Sequence, residues 1–213
     1  MAHMRTRSLF TACAAIVIAV QIPASSALAQ ISKEWSQCVG REGPVADLII
    51  SGCSAVIQAG QDSPALLATA FNNRGVVYRF KGEYERALED YNQAVVLNPG
   101  FANAYNNRGI IHRIKGEYDL AIKDYDQSIS LDRNVPATYY NRAMAYSDKQ
   151  DYDRALANLD TVLWFNDRNS LALYARGVVR LKKGDTQAGD ADIAAAKSIN
   201  PNVAAEFERA SKR

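Results

Sequence analysis

Amide side chains recur in this sequence at a constant spacing, and they are the residues best suited to recognition chemistry. Asn73, Asn107 and Asn141 follow one another at equal intervals. A primary amide carries donors and an acceptor, so a row of amides can bind an extended peptide backbone whatever its sequence. Asparagine is a poor residue for a helix interior, so its recurrence needs a reason. The alternative is that these amides cap or bridge neighbouring helices.

Arginines recur with the same period, and three of them have an acid at a constant distance. Arg74, Arg108 and Arg176 are each followed at the same distance by an aspartate, whereas asparagine takes that place after Arg142. The three acids are Asp90, Asp124 and Asp192. A partly buried guanidinium favours a carboxylate that accepts two parallel hydrogen bonds. The spacing therefore predicts three structural ion pairs between helices, with ligand binding by these arginines as the less favoured alternative.

The remaining candidates for catalysis are isolated residues. His112 stands where the preceding repeat has Tyr78, which favours a packing role. The sequence has no phosphate-binding loop, nucleophile elbow or Cys/His arrangement. A second histidine occurs only at position 3, which leaves too few ligands for a metal site. We therefore expect no catalytic residue, no metal and no cofactor, and we do not interpret the chain as an enzyme.

The first residues have the composition of an export signal. Two arginines precede an apolar run over residues 9–22, and small residues and an Ala-x-Ala cleavage pattern at 27–29 follow. This order predicts a cleaved signal peptide over residues 1–29, in which residues 1–3 resemble a cloning remnant. The apolar run is short for a membrane span of about 20 residues. We expect a periplasmic or secreted protein without a membrane span after cleavage; a retained anchor is the alternative.

Removal of the leader changes the charge and the cysteine inventory. The chain has 25 basic and 23 acidic residues, and the basic excess lies entirely in the leader. A neutral chain does not attract nucleic acid over long range, so we exclude that class of partner. Cys38 and Cys53 then remain, and an even pair in an oxidising compartment predicts a disulfide. A redox-active pair is the alternative, although the C-x-x-C spacing is missing.

The elements that position these side chains form a repeat with two halves in register. A fixed period in the range of about 20–50 residues indicates stacked units, none of which can bury its apolar face alone. The first halves are Phe71-Asn72-Asn73-Arg74-Gly75, Tyr105-Asn106-Asn107-Arg108-Gly109, Tyr139-Tyr140-Asn141-Arg142-Ala143 and Leu173-Tyr174-Ala175-Arg176-Gly177. The second halves are Ala87-x3-Tyr91, Ala121-x3-Tyr125, Ala155-x3-Leu159 and Gly189-x3-Ile193.

This pattern resembles the tetratricopeptide repeat over residues 68–203. The resemblance implies an all-α, right-handed solenoid of antiparallel helix pairs with a 34-residue period. The implied units are residues 68–101, 102–135, 136–169 and 170–203, with a degenerate capping helix pair at 30–67 and a capping helix at 204–213. The sequence departs from the family at the residue before the small one, where arginine replaces the usual leucine in all four units.

One turn inside the repeats departs from the others. Glycine suits the left-handed position that ends a first helix, and Gly82, Gly116 and Gly184 provide it. The third unit has Gln150 there. A residue other than glycine in this conformation costs about 1 kcal/mol. We therefore predict that the third turn is slightly strained or differently shaped.

The resemblance also implies a groove lined mainly by the first helix of each unit. The candidate peptide-binding residues are Asn72, Asn73, Asn106, Asn107, Tyr140, Asn141, Tyr174, Arg79 and Arg113. The last two would attract an acidic partner, unless they are ordinary solvated charges. We interpret the chain as an exported scaffold that binds a peptide or protein segment. A self-associating or fixed structural subunit of a cell-envelope complex is one alternative, and a thiol–disulfide redox protein is another.

Overall fold

The computed structural model of this chain describes residues 33–40 and 46–211, and within these ranges all regular secondary structure is helical. The predicted signal peptide lies outside them. Residues 33–38 form the described part of α1. The following helices are α2 (Ala46–Ala59), α3 (Pro64–Phe80), α4 (Tyr84–Leu97), α5 (Ala102–Ile114), α6 (Tyr118–Leu131), α7 (Pro136–Asp148), α8 (Tyr152–Phe165), α9 (Ser170–Lys183), α10 (Thr186–Ile199) and α11 (Val203–Ser211). Among the described helices, none has the length and apolar character that crossing a membrane requires.

The helices pack in successive pairs, which confirms the predicted all-α solenoid. α3 packs on α4, α5 on α6, α7 on α8 and α9 on α10. α4, α6 and α8 also pack on the first helix of the next pair, and α3, α5 and α7 touch in succession. We call α3, α5, α7 and α9 the first helices and their partners the second helices. Because the first helices lie side by side, residues at equivalent positions of the repeat form rows along one face of the molecule.

Small residues let the two helices of a pair approach closely. A Cβ atom added to Gly109 would lie 2.7 Å from Cε1 of Tyr125, and one added to Gly75 would lie 2.8 Å from Cε1 of Tyr91. Both tyrosines are fully buried. Contacts this short are not tolerated, so the large residue of the second helix requires the small residue of the first. The recurring small and large residues of the sequence are therefore the two sides of one contact.

All four turns inside the pairs have the same conformation. Gly82 and Gly116 have φ of 77°, Gly184 has 96° and Gln150 has 66°. In the third turn the amide of Asp151 donates to the carbonyl of Tyr146 at 2.9 Å, as equivalent amides do in the other turns. The third turn is thus not differently shaped. Gln150 adopts the left-handed conformation and bears its cost.

The two ends of the solenoid are closed differently. At the N-terminal end a disulfide joins Cys38 of α1 to Cys53 of α2, and both residues are buried. α2 in turn packs on α3. At the C-terminal end α11 packs on α9, where the ring of Phe207 lies 5.3 Å from that of Tyr174. One cap is covalent and the other is an apolar contact.

Candidate functional site

The asparagines of successive first helices hydrogen bond to one another. Nδ2 of Asn107 donates to Oδ1 of Asn72 at 2.9 Å, and Nδ2 of Asn141 donates to Oδ1 of Asn106 at 2.9 Å. Nδ2 of Asn73 donates to the carbonyl of Cys38 at 3.4 Å, which continues the pattern onto α1. We call Asn72, Asn73, Asn106, Asn107 and Asn141 the amide row. Its members bridge neighbouring helices, which is the role that the sequence left open as an alternative.

The amide row keeps hydrogen-bonding capacity beyond these bridges. Asn72 is buried, whereas Asn73, Asn106, Asn107 and Asn141 are half-buried. Among residues 33–40 and 46–211, no donor reaches Oδ1 of Asn107 or of Asn141. The two polar atoms of an amide point in different directions, so fixing Nδ2 on the preceding helix turns Oδ1 away from it. The bridges therefore fix the orientation of acceptors that can serve a ligand.

Tyrosines replace the first asparagine of each pair in the last two units. The hydroxyl of Tyr140 is buried and has no hydrogen-bond partner among the described residues. Burial raises the pKa of this phenol, so the group stays neutral. Tyr174 is half-buried and contacts Phe207 of α11. Ala175 ends the amide row, because it has no amide to donate to Tyr140.

The recurring arginines lie between the helices of each unit. Arg108 donates from Nε and Nη2 to the two carboxylate oxygens of Asp124, at 2.8 and 2.6 Å. The same bidentate geometry joins Arg74 to Asp90 and Arg176 to Asp192. In each pair the hydrogen bond to the carboxylate is the main cause that raises the pKa of the arginine. These arginines are used for packing and are not directed at a ligand.

A second set of acceptors for these arginines was missed from the sequence. Nη1 of Arg108 donates to Asn92 at 3.0 Å, and Nη1 of Arg176 donates to Asp160 at 2.8 Å. Arg142 bonds Asp126 in the same way and Asn158 on the other side. Asn92, Asp126 and Asp160 lie on the second helix of the preceding unit. Each is as far before its arginine along the chain as the acceptor of the arginine's own unit lies after it. A polar residue at that distance before the arginine was the available signal in the sequence. The hydrogen bonds show that Arg108, Arg142 and Arg176 also join adjacent units.

Arg79 on α3 and Arg113 on α5 lie further along these helices than Arg74 and Arg108, and their surroundings differ. Nη1 of Arg113 donates to Oδ2 of Asp148 at 2.9 Å, from α5 to α7. One unit earlier the residue equivalent to Asp148 is Ile114, and within the described ranges Arg79 has no carboxylate within ion-pair distance. Nε of Arg79 is buried without an acceptor there. Of the two predicted cations, Arg113 is neutralised by the fold and Arg79 is not.

A hollow of about 500 Å³ lies along three first helices and α11. Arg113, Met144 and Val178, from α5, α7 and α9, line it together with Phe207 of α11. Met144 and Val178 occupy the same position of the repeat, and Arg113 occupies the position one helical turn later, so the hollow follows the rows of the first helices. The side predicted to form a groove is concave here, and α11 bounds its C-terminal end.

The groups that could support catalysis or bind a metal are few. Among the described residues, no group of three or more histidine, cysteine or acidic side chains could hold a metal ion. Nδ1 of His112 lies 2.6 Å from Oε2 of Glu117, and this contact lowers the pKa of the carboxyl. Both residues lie at the junction of α5 and α6, which is a packing position.

Comparisons with known proteins agree with this architecture. Two sequence models described as tetratricopeptide repeat match the chain, one at residues 68–101 and 102–135 and the other at 140–204. No curated protein sequence matches it. The matched ranges together cover more than half of the chain and correspond to the helix pairs from α3 to α10.

Several solved structures have a similar fold. YrrB, described as a TPR protein with an unusual peptide-binding site, is 18% identical with a TM-score of 0.67, over 88% of this chain and 94% of that one. MamA (41-end) from Desulfovibrio magneticus RS-1 is 13% identical with a TM-score of 0.69, over 86% and 98%. The first TPR of Spaghetti (RPAP3), bound to the HSP90 peptide SRMEEVD, is 20% identical with a TM-score of 0.54, over 58% and 96%. By its repeat sequence and its stacked helix pairs, the chain belongs to the tetratricopeptide repeat family.

Proposed function

We propose that this chain is an exported scaffold that binds an extended peptide or protein segment along its first helices. The observation that carries the proposal is the amide row. Its hydrogen bonds hold side-chain amides in fixed orientations on three successive first helices. Binding then involves no bond made or broken in the partner.

Fixed amides are well matched to an extended backbone. Each residue of a peptide other than proline offers one N–H donor and one carbonyl acceptor, whatever its side chain. Oδ1 of Asn107 and Oδ1 of Asn141 can accept from such N–H groups, and the remaining N–H of each amide can donate. Because the bridges already restrict these side chains, a ligand loses less free energy in ordering them. The resulting interaction is independent of sequence, and neighbouring residues must supply selectivity.

The comparisons support this proposal at the level of the fold. The descriptions of YrrB and of the Spaghetti domain report peptide sites in proteins of the same architecture. At identities of 18% and 20% this likeness does not extend to individual residues. The amide row, and the hollow that lies further along the same first helices, are the features of this chain that make a peptide the best-supported ligand.

Export is the second part of the proposal. It rests on the charged and apolar order of residues 1–29 and on the disulfide between Cys38 and Cys53. The cysteines are 1% and 0% exposed. A buried bond is a poor participant in thiol exchange, so this geometry favours a structural disulfide over a redox protein.

The alternative of self-association or of a fixed subunit has one observation in its favour. Trp164 on α8 is 80% exposed, with its ring edge-on to Phe165 at 5.0 Å. An aromatic residue this exposed is common at protein interfaces. It lies on a second helix, so an interface there would be separate from the amide row.

The test is binding of displayed random dodecapeptides to the chain without residues 1–29, followed by titration of the selected peptides. We expect Asn73→Ala combined with Asn107→Ala to weaken binding about fivefold or more, since each removes a neutral hydrogen-bonding group worth about 0.5–1.5 kcal/mol. Asn103→Ala is the matched control, because Asn103 is an exposed residue of α5 outside the row. Peptides that bind the double variant and the control equally would refute the groove proposal.

A further inference from the structure

Arg79 and Arg113 occupy equivalent positions in the first two units but have different surroundings. Each precedes the large buried tyrosine of its own pair, Tyr91 or Tyr125, by the same number of positions. Burial raises the pKa of both phenols, and the nearby guanidinium group opposes that shift in each case. On one side, therefore, each guanidinium group lies near the buried phenol of its own helix pair. They differ in what covers the other side of the guanidinium group.

Asp148 covers Arg113. This carboxylate comes from the next first helix and accepts from Nη1 at 2.9 Å, with the arginine side chain only 12% exposed. The equivalent residue for Arg79 is Ile114, which cannot accept a hydrogen bond. The chain thus supplies its own carboxylate, Asp148, to Arg113 but supplies none from the equivalent position to Arg79.

The charged groups around Arg79 leave it without a counter-ion in the described part of the chain. The hollow beside it, about 250 Å³, is lined by Arg79, Phe80, Lys81 and Tyr84. Lys81 pairs with Asp47 at 3.0 Å, and Glu83 pairs with Arg86. Nε of Arg79 is buried without an acceptor in hydrogen-bond geometry among the described residues, and the hydroxyl of Tyr91 beside the guanidinium group is neutral and supplies no negative charge. A partly buried cation in this condition is unfavourable and favours an anionic partner.

We infer that Arg79 binds an acidic side chain of the segment held by the amide row, so that the ligand supplies the carboxylate that Asp148 supplies to Arg113. This inference rests on the proposed function, because the segment must lie along the first helices to reach Arg79. It makes the scaffold selective: the amides bind any extended backbone, and Arg79 selects segments that carry aspartate or glutamate at one position. The centre of the Phe80 ring lies 4.4 Å from Cζ of Arg79, a cation–π contact that covers one face of the guanidinium group.

A substitution within the chain tests the geometry without a ligand. Ile114→Asp should place a carboxylate on Arg79 as Asp148 does on Arg113, and Ile114→Asn is the matched neutral control. We expect the melting temperature of I114D to exceed that of I114N by about 2–4 °C, and the difference to disappear when Arg79 is also replaced by methionine. Equal melting temperatures for I114D and I114N would overturn the inference.

Binding tests the inference directly. Two pools of synthetic dodecapeptides are compared, one containing aspartate and glutamate and the other containing asparagine and glutamine in their place. We expect the chain without residues 1–29 to bind the acidic pool about tenfold more tightly, and Arg79→Met or I114D to remove this preference. Arg133→Met is the control, because it removes an exposed positive charge from the turn before α7.

The outcomes separate the two proposals. Binding of both pools with equal affinity would overturn the role of Arg79 and leave the scaffold function intact. A preference for the acidic pool that persists in R79M would do the same. Failure of every peptide to bind the wild-type chain would overturn both.

Discussion

The two halves of the solenoid share their packing and differ along the face of the first helices. In the first two units that face carries the amide pairs that begin at Asn72 and Asn106, whereas the last two units carry Tyr140 and Tyr174. Underneath, the arginine of every unit bonds a polar residue of its own second helix, at Asp90, Asp124, Asn158 and Asp192. Packing and the proposed recognition therefore use different positions of the repeat, and the surface can change while the packing is kept.

The largest predicted effect concerns the frame. Arg108→Met should lower the free energy of unfolding by roughly 3–5 kcal/mol, because it leaves the buried carboxylate of Asp124 without its cation. Arg142→Met should cost less, about 1–2 kcal/mol, because its buried partner Asn158 is neutral and its carboxylate partner Asp126 is exposed to solvent. Urea denaturation of both variants measures the difference. Equal losses would show that the ion pair adds nothing beyond packing.

These ion pairs illustrate what the sequence could reveal. The distance along the chain from Arg108 to Asp124 recurs in two other units, so the periodicity alone locates the contact. The acceptors on the preceding unit lie at one distance before Arg108, Arg142 and Arg176, but the corresponding bond of Arg74 goes to Ser54 at another distance, and this set was missed. Repeats reveal contacts within a unit more readily than contacts between units, because the latter depend on how the units are stacked.

The second prediction compares the two caps. Replacing Cys38 and Cys53 together by serine should lower the free energy of unfolding by about 3 kcal/mol, since the disulfide closes a loop of about 15 residues in the unfolded chain. Phe207→Ala at the other end should cost about 1–2 kcal/mol, because its ring is half-buried. Thermal unfolding of the two variants checks the order. A larger loss for Phe207→Ala would reverse the assignment of the stronger cap.

The third prediction compares the amide half of the groove with its aromatic half. Tyr174→Phe should change the affinity of a selected peptide less than about twofold. The ring packs on Phe207, and the Tyr174 hydroxyl makes no hydrogen bond to another described residue. The double variant at Asn73 and Asn107 should weaken the affinity about fivefold or more. Isothermal titration measures both. A larger effect at Tyr174 would move the site towards α11.

The candidate site could be predicted only in part, because some of its contacts depend on side-chain rotamers and on how the units stack. The sequence identifies the rows of asparagine and arginine, because their spacing follows the repeat. It does not show that Asn107 bonds Asn72, because a side-chain rotamer decides between bridging and full exposure. It also gives no reason to separate Arg79 from Arg113, since the difference depends on a residue of the next unit. Coverage of Tyr174 by α11 likewise depends on where the last helix packs.

The smallest predicted effect concerns the turns. Gln150→Gly should raise the free energy of unfolding by about 0.5–1 kcal/mol, because it relieves a left-handed residue with φ of 66°. Gly116→Ala in the equivalent turn, at φ of 77°, should lower it by a similar amount. Guanidinium unfolding curves of both variants measure these shifts. Opposite signs are expected, and a loss in both would show that side-chain contacts of Gln150 outweigh its strain.

The central claim is that the side-chain amides of the first helices contact the bound segment. It is tested most directly by following the side-chain ¹⁵N–¹H signals of Asn73, Asn107 and Asn141 while a selected peptide is titrated into the labelled chain. We expect these signals to shift together and saturate with the peptide, while that of exposed Asn103 does not move. Saturable binding that leaves the three signals unchanged, and instead shifts the indole signal of Trp164 on α8, would contradict it.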